Sequence, residues 1–185
     1  MLATLKALQD DEELGISPVQ QGCIDTLEQG YNFLNFLNDE QYVYVASPHV
    51  ASSIGQHFRH LLDMFLALSN DTPVIDYNLR RRGHKVETSR QVAMAELLAF
   101  IKWLTSKTLK DLQSPVTIWT EVSVIDTQTC EMTSTLEREL TFAALHANHH
   151  FAMSKVTISL LDGHLNGVGD DFGFAPATLT YLKGQ

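Results

Sequence analysis

The stretch His146-Ala147-Asn148-His149-His150 holds the densest set of potential ligands in this 185-residue chain. On a helix, residues four apart lie one above the other, so His146 and His150 share a face. Leu136, Ala143, Met153 and Thr157 fall on the same face, which makes it largely apolar and inward-pointing. Burying two imidazoles is costly unless their nitrogens are used. A divalent metal uses them, because neutral imidazole ligates zinc, nickel, copper and iron. A pair of core histidines bonded to backbone or water accounts for the stretch equally well. A third histidine from another helix would tip the balance, and His57 and His60 are the candidates.

A second group with chemical potential lies between Asn70 and Ser89, where no clean period runs. Thr72-Pro73 breaks any helix there and Gly83 permits a turn. The segment holds Asp76, Tyr77, Arg80, Arg81, Arg82, His84, Lys85 and Glu87. Three adjacent arginines read as a solvated loop paired with acidic neighbours. They also read as an anion clamp over a pocket mouth, since guanidinium matches carboxylate and phosphate geometry. Long loops in compact domains are often functional.

The elements that must position these groups are helices. Ser17-Pro18 marks a helix start, with Ser17 as N-cap, and Ile24, Leu27, Tyr31 and Leu34 recur at helical spacing until the pattern fades near Asn38-Asp39. A second helix is expected from about Ala51 to Leu68 with the stripe Ile54, Phe58, Leu61, Phe65 and Leu68. His57 lies on the flank of that stripe and His60 further round, so periodicity makes His57 the more core-facing. A third helix covers about Ser89 to Ser106. After Pro115 the period changes to two: Val116, Ile118, Val122 and Val124 alternate with polar residues as a half-buried strand. Asp126-Thr127-Gln128 marks a turn, and Thr129 to Thr133 returns as a shorter strand. The fourth helix runs from about Ser134, its expected N-cap, to Leu161, stopping near Asp162-Gly163. The tail from Asn166 to Gln185 is expected to wrap the bundle irregularly. The reading is therefore all-α, a single domain over residues 1–185, with a small β-hairpin between helices three and four and no parallel pairing.

Composition bounds the function. Hydrophobic residues make up 44% and charged residues 19%, ordinary values for a globular domain. The 13 basic and 22 acidic side chains give a formal charge of -9, which argues against nucleic acid and anionic lipid as partners. No apolar run is long enough to cross a bilayer. Met1 to Gly15 lacks the basic start and apolar centre of a secretory signal. Cys23 and Cys130 form no close pair, so a reduced, cytoplasmic setting is expected.

Other metal motifs fail on particular residues. A zincin needs glutamate directly after the first histidine, where Ala147 stands. A ferritin-like di-iron site needs Glu-x-x-His, and Ala143 and Ala147 occupy those positions.

The motifs, taken in order, are His60-Leu61-Leu62-Asp63 on the second helix and His146-x-x-x-His150 on the fourth. With them go the Tyr77/Arg80/Arg82 segment and the closing Asp171-Phe172-Gly173-Phe174-Ala175-Pro176. Together these resemble the DinB-like metalloprotein superfamily, the group that includes bacillithiol- and mycothiol-transferase-like proteins. The resemblance spans most of the chain in element order. It implies a four-helix bundle in an up-down-down-up order, with a three-histidine site for a divalent ion made by His60, His146 and His150. That departs from periodicity, which favours His57. His57 and Asp63 then stand behind the ligands or line the pocket, and His149 is not a ligand. The resemblance also implies a zinc, nickel or iron ion, a low-molecular-weight thiol as co-substrate, a small-molecule substrate and a homodimer. Tyr77, Arg80, Arg82 and Glu87 become the expected substrate-binding residues, with Arg80 and Arg82 suited to a carboxylate. The expected activity is metal-dependent thiol S-transfer, then metal-assisted hydrolysis. A non-catalytic, metal-stabilised or metal-sensing protein is the alternative.

Overall fold

Ser17 and Ser53 start two long helices with the same local device. Each serine side chain accepts from the backbone N–H three residues on, and that residue, Gln20 or Gln56, accepts from the serine's own N–H. Two otherwise orphaned donors are satisfied at each helix start. The computed structural model describes residues 15–70, 72–162 and 167–184. The expectation of no secretory signal at the N-terminus and the expected helix stop at Gly163 lie outside these residues.

In chain order the helices are α1 (Pro18–Phe36), α2 (Asp39–Val43), α3 (Ile54–Ser69), α4 (Arg90–Thr105), α5 (Leu109–Leu112), α6 (Leu136–Asp162) and α7 (Pro176–Lys183). A 3-10 turn covers Lys85–Glu87, and three strands are β1 (Val74–Asp76), β2 (Pro115–Glu121) and β3 (Thr129–Thr135). Among the described residues the chain is mainly helical with one small sheet. Long helices α1 and α3 each pack on both α4 and α6. Leu27 and Leu34 of α1, Phe58 and Phe65 of α3, Leu97 and Leu104 of α4, and Leu140 and Phe151 of α6 are all fully buried between them. Each such side chain contributes about 1.5–3 kcal/mol on leaving water. Gln20 adds a polar tie: its amide donates to the carbonyls of Leu104 and Lys107, both at 2.8 Å, and so closes the end of α4.

The sheet has the order β1-β2-β3. The expected hairpin is present as β2 and β3, antiparallel, with Pro115 opposite Thr135 and Glu121 opposite Thr129. Three points differ from the sequence reading. First, β2 ends at Glu121, and Val124 and Ile125 lie exposed at the hairpin tip. Second, β1 pairs in parallel with β2, Ile75 opposite Ile118, where no parallel pairing was expected. A strand of three residues is too short to show a period, and only its partner reveals it. Third, β3 continues to Thr135 and runs straight into α6. Ser134 is therefore not the N-cap. Its hydroxyl donates to Glu139 Oε1 at 2.7 Å, and Thr135 Oγ1 accepts from the Arg138 N–H at 3.4 Å.

The tail also differs. It ends in α7, which starts at Pro176, a residue suited to the first helical position. Before α7, Phe172 is buried and stacks on Phe33 at 4.2 Å and on Phe151 at 5.1 Å. Gly173 turns there with φ +80, where an added Cβ would meet the Ala152 backbone at 2.6 Å. Among the described residues, no helix is long and apolar enough to cross a membrane.

Candidate metal centre

The Ser53 cap sets the phase of α3, and that phase brings His57 and His60 against α6. His60 Nε2 lies 3.1 Å from His146 Nε2, and His57 Nδ1 lies 2.9 Å from His150 Nδ1. Rising numbers on α3 meet falling numbers on α6, so the two helices cross antiparallel. Within α6, His150 Nε2 lies 3.0 Å from His146 Nε2, the outcome of the four-residue spacing. One ring nitrogen from each of His60, His146 and His150 lies within 4.8 Å of the other two.

Hydrogen bonds account poorly for this convergence. A neutral imidazole nitrogen offers a single lone pair or a single proton in the ring plane. His146 Nε2 faces two other nitrogens, and one proton serves only one of those contacts. A cation among them uses every lone pair at once. With bonds of about 2.0–2.1 Å, ligand nitrogens stand roughly 2.8–3.4 Å apart for angles between a right angle and the tetrahedral value. The observed 3.0 and 3.1 Å separations fall within that span.

The local electrostatics keep the rings neutral. Burial first, then the Arg80 guanidinium and the His146 ring, push the His60 imidazole down to about 4. Burial, followed by His60, His146 and His57, pushes His150 down to about 2. Burial, then His149 and Arg80, lowers His146. Three half-buried imidazoles with free lone pairs at neutral pH are the form that metals require.

Behind the triad stands His57, 9% exposed. It is the more buried of the two α3 histidines, and His60 is the one whose ring nitrogen lies with those of the pair on α6. His57 Nε2 is buried with no hydrogen-bond partner among the described residues. His149 is exposed on α6, with its ring centroid 6.1 Å from that of His146.

A cavity of about 320 Å³ opens beside the rings, lined by His57, His60, His150, Ser52, Gln56, Arg59, Arg82 and Glu87. Of the three adjacent arginines, Arg82 lines it. Arg81 is anchored: its backbone N–H and Nε donate to Asp63 at 3.1 and 2.6 Å, and its terminal nitrogens make a fork on Glu96 at 2.9 and 2.8 Å. Arg59 bridges Asp63 and Glu87 at 3.0 and 2.9 Å. Gly55 on α3 lets the 3-10 turn approach, since an added Cβ would collide with the Glu87 carbonyl. Arg81 opens a turn closed by the His84 N–H donating to its carbonyl at 3.0 Å, and Arg82, next in that turn, lines the cavity.

Of the expected substrate residues, Arg82 and Glu87 line the cavity, Glu87 already paired with Arg59. Arg80 is half-buried and donates to the carbonyls of Tyr77 and Leu79. Tyr77 is placed elsewhere. It is buried, its hydroxyl donates to Glu139 Oε2 at 2.9 Å, and it lines a separate cavity of about 350 Å³ with Phe142. Asp63 does not reach the histidine rings, because its carboxylate is taken by Arg59 and Arg81. Sequence reasoning missed Arg59, Arg81 and Glu96 as the frame of the rim. The i, i+4 spacing of Arg59 and Asp63 was a local signal for part of it. Nothing local pointed to Glu96.

No family model matches the chain, and no solved structure matches it. Over 112 residues, 60% of the chain, it is 28% identical to FK506-binding protein 5 of Rhizopus delemar. The chain spans 28% of that protein's length. At this identity and coverage the similarity assigns no family.

Proposed function

We propose that the protein is a metal-dependent enzyme acting on a small molecule, with a fold of the DinB-like four-helix kind. The observation that carries this reading is the meeting of three neutral ring nitrogens, from His60, His146 and His150, beside an open cavity. The antiparallel crossing of α3 and α6 supports the fold assignment, being compatible with an up-down-down-up order. His60, His146 and His150 would hold a zinc, nickel or iron ion through neutral imidazole nitrogens. Such an ion, when bound, supplies Lewis acidity that brings a water or a low-molecular-weight thiol toward deprotonation at neutral pH. His57 orients His150 through the contact between their Nδ1 atoms, as groups behind metal ligands commonly do. The Arg59–Asp63–Arg81–Glu96 frame holds the cavity rim in place, and the Arg80 guanidinium adds positive potential near His60 and His146. Thiol transfer is the leading reaction and hydrolysis the second. The reading takes the protein as a cytoplasmic homodimer without nucleic-acid or membrane partners.

The test is metal analysis of protein purified without an affinity tag, followed by a screen of low-molecular-weight thiols against a generic electrophile. A stoichiometric ion and thiol-dependent turnover are expected. Absence of metal at any stoichiometry after incubation with zinc, nickel or iron would overturn the reading.

One observation favours a second, non-catalytic reading. The three rings come from only two helices, so an ion there would staple α3 to α6. In that case added metal raises the unfolding temperature while no thiol or water reaction turns over.

A further inference from the structure

Resting on the reading of this cavity as the substrate site, we infer that the side-chain amide of Gln56 donates to an oxygen of the bound molecule, a small oxyanion. Gln56 is the third residue of α3. Its Oε1 accepts from the Ser53 N–H at 3.0 Å, while the Ser53 hydroxyl accepts from the Gln56 N–H at 3.2 Å. A backbone N–H only donates, so the atom facing it is oxygen and the amide has one orientation. Its two Nε2 protons are left for another partner.

The start of α1 shows where such protons go when they serve the fold. Gln20 holds the same position in the same device, and its Nε2 donates to the Leu104 and Lys107 carbonyls at 2.8 Å each. Gln56 Nε2 has no partner among the described residues, and the side chain lines the cavity with His57, His60 and His150. Gln56 stands one helical turn before His60, so it lies on the face that carries this proposed ligand.

The open polar groups of the cavity choose the ligand chemistry. Glu87 has both oxygens engaged, Oε1 by Arg59 Nε at 2.9 Å and Oε2 by the Gly83 N–H at 3.1 Å. The Ser52 hydroxyl and the Arg82 guanidinium, like the Gln56 amide, have no partner among the described residues. A wall with free donors, one of them charged, and no free carboxylate takes an acceptor of negative charge. Carboxylate and phosphate share that chemistry.

The experiment is calorimetric titration of acetate and of inorganic phosphate into wild type, Gln56→Glu and Gln56→Ala, each metal-free and zinc-loaded. Melting temperature and metal content are read on every sample. Glutamate still accepts from the Ser53 N–H, so Gln56→Glu keeps the cap while it removes the donor and adds a charge. Its melting temperature and metal content should match wild type. Gln56→Ala removes the donor without adding a charge, and its melting temperature should fall because half of the cap is lost. Both variants should bind the tighter of the two anions about tenfold or more weakly, the loss of one hydrogen bond to a charged group. Undiminished binding in either variant overturns the inference; in Gln56→Ala it would mean that Gln56→Glu reports only its added charge. So does the absence of binding of both anions to wild type. A melting temperature in Gln56→Glu as low as in Gln56→Ala also overturns it, since the amide nitrogen would then serve the fold as in Gln20. Each of these results leaves the proposed function standing where metal loads and thiol-dependent turnover persists. Protein that takes up no metal yet shows the Gln56-dependent binding would overturn the proposed function and leave this site standing.

Discussion

His57 and His150 meet through their Nδ1 atoms, 2.9 Å apart, across the contact between α3 and α6. The contact gives His57 a role that its burial alone does not reveal. In the proposed centre it would fix the ring plane of His150 from behind, without offering a ligand atom to the point that His60, His146 and His150 share.

Alanine at His60, His146 or His150 should therefore abolish stoichiometric metal binding and leave the helices intact, as read by elemental analysis and far-ultraviolet circular dichroism. Alanine at His57 should weaken binding by about 10–100-fold, the usual range for a group that orients a ligand. Loss of metal from His57→Ala alone, with His60→Ala still loaded, would reverse the assignment.

Metal-free protein should lose stability as the solution is acidified. His60 and His150 have folded-state values of about 4 and about 2, below the ordinary value near 6.5. The unfolded chain thus takes up protons first as pH falls through about 6.5, which favours unfolding. The stability present above that pH declines toward about pH 4 for His60 and lower still for His150. Urea midpoints measured between about pH 7 and pH 5 should fall, and fall less steeply in His150→Leu.

Asp63→Ala should destabilise the fold by roughly 3 kcal/mol, because it removes the shared partner of Arg59 and Arg81 in a largely buried setting. Its more telling effect is on the cavity rim. Limited proteolysis should cut the 77–84 segment faster in the variant than in the wild type. Unchanged cleavage would mean that Glu96 and Glu87 hold the rim without Asp63.

Gly55→Ala should cost about 1–3 kcal/mol, since the added methyl meets the Glu87 carbonyl and pushes the 3-10 turn away from α3. Chemical denaturation reads the loss. A variant as stable as wild type would show that the turn moves freely.

What the sequence made legible was local. The four-residue spacing of His146 and His150, the Ser17-Pro18 start and the period-two run after Pro115 each encode their own geometry within a few residues. The choice between His57 and His60 was not of this kind. A helical wheel ranks faces by apolarity, and it ranked His57 correctly. It does not say which flank α6 approaches, and that approach brings His60 to His146. The arginine run was ambiguous for a related reason. Its middle member turns toward Asp63 and Glu96 while its neighbour turns toward the cavity, and Glu96 lies on α4. Likewise β1 exists only because β2 lies beside it, and the Tyr77–Glu139 contact joins residues far apart in the chain.

The direct passage from β3 into α6 has a mechanical consequence. With no loop between Thr135 and Leu136, the register of Thr135 opposite Pro115 dictates the rotational phase of the helix that follows. Deleting one residue from β3 would turn α6 by about 100° if the ladder kept its pairing. His146 and His150 would swing away from His60 together, although neither had been touched. Residues added at the hairpin tip around Val124 would leave that phase alone. The small sheet thus works as an indexing plate, and length changes on its two sides are far from equivalent.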